Sequence, residues 1–146
     1  MEFKVLWISK NARIIPAQKE FLSEMASKIN AELVLQECVE APLNPRWIYA
    51  NRILIFRPHV VVAVAPLDVI YPLVQKSQGR GYEVWKPEML LMHAGCGGTR
   101  CPNYDARKDV LTRVAQPDGA ATLLHYRFYR FVRIKDIHID SEEIAI

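Results

Sequence analysis

Apolar residues occupy both alternating sets of positions over residues 2–9, where Phe3, Val5, Leu6, Trp7 and Ile8 leave no polar face. A strand of that kind is covered on both sides, so it is predicted to lie centrally in a sheet flanked by helices. The period then changes. Over residues 17–29, Phe21, Leu22, Met25, Ala26 and Ile29 fall on one helical stripe, with Lys19, Glu20, Ser23, Glu24 and Lys28 turned to solvent. Pro16 suits the first turn, and Asn30 tolerates the left-handed conformation of a helix end. Residues 32–38 read as a more polar strand, nearer an edge. Asn44-Pro45 supplies a cap and a first-turn proline for a helix over residues 46–56, which must stop by Arg57 because Pro58 disfavours helical geometry before it. Residues 59–66 are the most hydrophobic strand, and a short helix through Pro72, Leu73 and Val74 reaches Gln78 and closes at Gly79.

Strand and helix alternate three times, the pattern of a parallel sheet wrapped by helices. The fold class this predicts is α/β, a Rossmann-like or flavodoxin-like βαβαβα parallel core. Residues 82–86 and 88–93 read as one or two further strands around Pro87. Residues 110–115 and 121–134 flank Gln116-Pro117-Asp118-Gly119 and predict a C-terminal β-hairpin after the core. No repeat or linker interrupts the chain, so residues 1–146 are expected to form a single domain.

At 146 residues and 51% hydrophobic content the chain can bury a sizeable core. No apolar run is long enough for a transmembrane helix, and the first residues lack the pattern of a secretory signal, so a cytoplasmic protein without membrane partners is expected. The net charge of +3 is modest, but its distribution is uneven. Residues 80–135 carry ten bases and five acids, whereas residues 136–146 carry four acids and no base. Three cysteines favour free thiols or metal ligands over a disulfide scaffold.

Three constellations could carry function. The first is an anion or nucleotide site. In open α/β sheets ligands bind beyond the carboxyl ends of the strands, where adjacent connections leave on opposite faces. With strand order 2-1-3 that place lies between Ser9, Lys10, Asn11 and Arg13, suited to a phosphate, and Asp68, suited to a sugar hydroxyl or to a helix cap. Neither Gly-x-Gly-x-x-Gly nor a P-loop is present, so the usual dinucleotide and P-loop chemistry is not indicated. The second is a zinc site at His93, Cys96 and Cys101, within a loop made pliant by Gly95, Gly97 and Gly98. Cys38, His125 or Asp105 is the candidate fourth ligand, a water would make the site catalytic, and free cysteines in a glycine-rich turn are the plain alternative. The third is a nucleic-acid surface on the hairpin. Alternation puts Arg127, Tyr129, Arg133 and Lys135 on one face with His125 and Phe131, and Tyr126, Phe128, Val132 and Ile134 on the other with Arg130. Arginines interleaved with aromatics suit phosphates and stacked bases, though the same face would also serve an acidic partner or a second subunit forming a homo-oligomer.

A thiolate pair of Cys96 or Cys101 with His93 or His125 is the weakest catalytic option, since spatial contact decides it. Neither Gly-x-Ser-x-Gly nor His-Glu-x-x-His occurs, and whether the chain is an enzyme stays open. Small-ligand or nucleotide binding ranks first among the readings, a zinc-stabilised structural or interaction protein second, and nucleic-acid binding third.

Overall fold

The computed structural model describes residues 1–10, 12–39, 43–95 and 97–137. Its strands are β1 (Glu2–Ser9), β2 (Glu32–Cys38), β3 (Val60–Val64), β4 (Glu83–Ala94), β5 (Asp109–Ala115) and β6 (Ala121–Ile134). They form one sheet in the order β2-β1-β3-β4-β6-β5, curled into a half-barrel. The first four pair in parallel, while β6 runs antiparallel to both β4 and β5.

This corrects the simple parallel Rossmann-like or flavodoxin-like core with a hairpin placed after it. The hairpin strands continue the same sheet, and β6 lies inside it between β4 and β5. A parallel partner for β4 would need a crossover helix returning the chain to its start. The residues described between β4 and β5 contain only a single 3₁₀ turn, Gly98–Arg100, so the last strands can join only in the antiparallel sense. Of the one or two strands expected around Pro87 the structure has one, because β4 runs straight through the proline. Proline is tolerated there because β3 pairs with β4 only as far as Trp85, and beyond that point β4 has, among the described residues, a strand on one side alone.

The helical segments are α1 (Pro16–Lys28), α2 (Pro45–Ile48), a π turn (Tyr49–Ile53), α3 (Leu54–Phe56) and α4 (Leu67–Ser77). Leu22 and Ala26 of α1 pack with Phe3, Val5, Trp7, Val60, Val62 and Trp85 on one face of the sheet. Val69, Ile70, Leu73 and Val74 of α4 pack with Leu6, Ile8, Val61, Ala63 and Val84 on the other, joined by Ile48, Tyr49 and Ile53. The period-two alternation of β1 thus feeds two cores, which is why the strand had no polar face. Among the described residues no helix is long and apolar enough to cross a membrane.

Asn44 caps α2, its Oδ1 accepting the backbone N–H groups of Arg46 at 3.0 Å and Trp47 at 3.2 Å. Asn44→Ala is expected to cost about 1 kcal/mol in urea unfolding. A loss well below that would mean that Pro45 and packing suffice to start the helix.

Candidate functional site

At the carboxyl ends of β1 and β3 the residues read as a ligand site divide into two kinds. Ser9 pairs with Val64 in register and is buried. Its Oγ accepts the N–H of Ala12 at 2.9 Å, and the indole N–H of Trp7 donates to the carbonyl of Ala12 at 3.0 Å, so Ser9 shapes the turn after β1. Lys10 and Arg13 are exposed. Asn11 lies outside the described residues. Across from them α4 begins at Leu67, with Pro66 at the cap position and no side chain closing its first N–H groups. Asp68 is not the cap; it is exposed in the first turn of α4. The amino end of α1 is more engaged. Gln18 Oε1 accepts the N–H of Ile15 at 3.0 Å, and the N–H of Ala17 donates to the carbonyl of Arg107 at 2.8 Å.

The hairpin surface differs from its expected alternation. A register shift between Glu88 and Met89 lets Arg130 and Phe128 face consecutive residues of β4, leaving Tyr129 extra. Phe128 and Phe131 therefore share a face, and both meet the ring of Phe21, at 6.0 and 5.4 Å between centroids. Of the four residues read as a nucleic-acid surface, Tyr129 is 53% exposed and Lys135 is exposed. Arg133 is paired with Glu83 at 2.9 Å, and Arg127 is bound inward to Asp109. Arg130 pairs with Glu88 at 3.3 Å. Three of the strand's basic groups are thus held by carboxylates.

Arg127 belongs to the most concentrated electrostatic feature described. The Asp109 and His125 side chains are fully buried. Asp109 accepts from Arg127 Nε at 2.8 Å and Nη2 at 3.1 Å, from the N–H of Asp105 at 2.7 Å, and from His125 Nε2 at 2.7 Å. Burial alone would raise the Asp109 pKa, but the hydrogen bonds from Arg127, Asp105 and His125 and the charge of Arg127 outweigh it, holding the carboxyl well below the usual range. A carboxylate only accepts, so His125 carries its proton on Nε2. Its Nδ1 is buried without a hydrogen-bond partner in the described residues. Arg127 also donates to the carbonyl of Asn103 at 2.8 Å, Tyr104 lies 5.8 Å from the His125 ring, and Gly98 sits against Leu111 and Leu123. The cluster thereby anchors the segment before β5 onto the hairpin. Sequence reasoning passed over Asp109, although counting back from the 116–119 turn pairs it with Arg127 and pairs Leu111 with His125.

His93 is exposed at the end of β4, opposite His125 in register, and Cys101 is half-buried after the 3₁₀ turn. Cys38 is buried on β2, at the sheet edge opposite β5, and so is remote as a fourth ligand. Cys96 lies outside the described residues, among which no three His, Cys, Asp or Glu side chains are grouped so as to hold a metal ion. No family model matches the chain, and comparison with curated proteins and with solved structures gives no significant match.

Proposed function

We propose that the chain binds a small phosphate-bearing ligand, of the mono- or dinucleotide class, at the carboxyl ends of β1 and β3. One observation carries the reading: these strands are parallel neighbours, yet α1 leaves β1 over one face of the sheet and α4 leaves β3 over the other. Divergent connections open a crevice between strand ends, the place where doubly wound sheets take their ligands. The uncapped first turn of α4 offers N–H groups and the positive end of its dipole to an anion. Lys10 and Arg13 supply charge from the β1 side, and Asp68 supplies an acceptor for a ligand hydroxyl. Nucleic-acid binding draws less support, because Arg127 and Arg133 are held by carboxylates.

A thermal-melting series with mono- and dinucleotides at millimolar concentration tests this. A ligand present at about a hundred times its Kd adds roughly 2.7 kcal/mol, which raises the melting temperature of a chain this size by roughly 5–10 °C. Lys10→Ala combined with Arg13→Ala should lose most of that shift while melting normally without ligand. No shift with any nucleotide would remove the proposal.

A further inference from the structure

A separate cleft of about 650 Å³ opens at the other end of the sheet, where the chain enters β3 and β4. Arg57, His59 and Arg80 line it together with Tyr49, Leu54 and the loop at Gly79 and Gly81, and among the described residues no carboxylate does. We infer that this cleft is a second binding site, for a small soluble phosphate compound held between Arg57 and Arg80.

Arg80 is already oriented. Its Nη1 donates to the Tyr49 hydroxyl at 2.6 Å, and its guanidinium lies 5.7 Å from the centre of that ring, which also carries Lys76 at 4.4 Å. His59 accepts the N–H of Lys4 on Nδ1 at 3.0 Å, so its neutral ring keeps a proton on Nε2 as a further donor. Arg57 is the unusual residue. Its backbone is left-handed, at φ 53° and ψ 60°, immediately before Pro58. Glycine takes that conformation without strain, whereas an arginine there is held against its preference. The Arg57 side chain forms no ion pair among the described residues.

A plainer role accounts for part of this arrangement. The cleft receives the carboxyl ends of α3 and α4, where cations are favourable. That explains a positive charge near each helix end. It does not explain why a strained position carries arginine, nor why two arginines line a cleft with no acid among its described lining residues. Guanidinium forks match phosphate oxygens in a way ammonium groups do not, and the cleft has room for more than one phosphate.

Inorganic pyrophosphate is the probe, titrated by calorimetry and followed by backbone-amide NMR on the whole chain. Wild type should show saturable binding whose shifts at His59, Gly79 and Gly81 report this cleft. Arg57→Gly and Arg80→Ala should each weaken binding about tenfold or more, as expected for losing a charge-assisted contact. Because glycine relieves the strain, Arg57→Gly should melt at or above the wild-type temperature, which separates a lost contact from a lost fold. Lys10→Ala with Arg13→Ala should leave the pyrophosphate-induced shifts at His59, Gly79 and Gly81 as in wild type, so this site and the one at the carboxyl ends stand or fall separately. No binding at millimolar pyrophosphate, a smaller loss in either arginine variant, or shifts centred on residues 10–13 and 66–68 would overturn the inference.

Discussion

Asp109→Ala should lower the stability of the fold by about 4 kcal/mol, because removing one partner of a buried ionic cluster leaves the rest uncompensated. Here the remainder is a buried His125 and an Arg127 whose guanidinium was held on both Asp109 oxygens. The backbone N–H of Asp105 loses its acceptor as well. In a chain of this length that corresponds to a melting temperature lower by roughly 8–16 °C. The loss should depend on pH in one direction. The folded-state pKa of Asp109 is depressed, so its stabilisation is fully present above the ordinary aspartate value of about 3.9 and fades as pH falls below it. Urea unfolding at neutral pH and near pH 3 should show a wide gap between wild type and variant that narrows in acid. Equal stability at neutral pH would mean that the segment before β5 is held by its apolar contacts alone.

Phe131→Ala should be nearly as damaging, at about 3 kcal/mol. Its ring meets Trp7 at 6.2 Å, Phe21 at 5.4 Å, Trp85 at 6.0 Å and Phe128 at 5.0 Å. Those partners come from β1, α1, β4 and β6, so the ring ties the antiparallel strands to the parallel half of the sheet. Phe131→Leu, which keeps most of the volume, should cost about 1 kcal/mol. Trp7 and Trp85 both touch the ring, so tryptophan emission should shift in the alanine variant before global unfolding. A cost below about 1 kcal/mol for alanine would show that the two halves are held elsewhere.

Much of the parallel half is legible along the chain, because each element there answers to a local rule. The doubly apolar β1, the Asn44-Pro45 start and most of the α1 stripe occur where the pattern puts them, though Ile29 ends up past the helix and exposed. The antiparallel half depends on pairing, which local pattern does not encode. Nothing in residues 83–94 says that β4 holds three residues of β3 on one side and nearly the whole of β6 on the other. The shift at Glu88 and Met89 reverses the parity of β6, so strict alternation assigned Phe131 to the wrong face. Asp109 escaped notice for a related reason: alone it is one acid before a strand, and its meaning comes from the residue opposite. The cleft at Arg57 was invisible because it is assembled from segments distant in sequence. Its one local sign, an arginine between a helix and a proline, marks in sequence terms only the end of a helix.

The position of β6 sets the order in which the sheet can be completed. Among the described residues β5 pairs with β6 alone, and β4 has only Glu83, Val84 and Trp85 in register with β3, so until residues 121–134 have been made neither strand has its main partner. During synthesis from the amino end, β1, β2, β3 and the first residues of β4 can pair and cover both cores, while the rest of β4 and β5 still wait with their backbone groups open to water. The last third of the molecule then closes as one event, within the dozen or so residues that carry Phe131, His125 and Arg127. A released chain ending at residue 120 should therefore hold a protected parallel half that includes the start of β4, while the rest of β4 and β5 exchange freely until residues 121–134 are supplied.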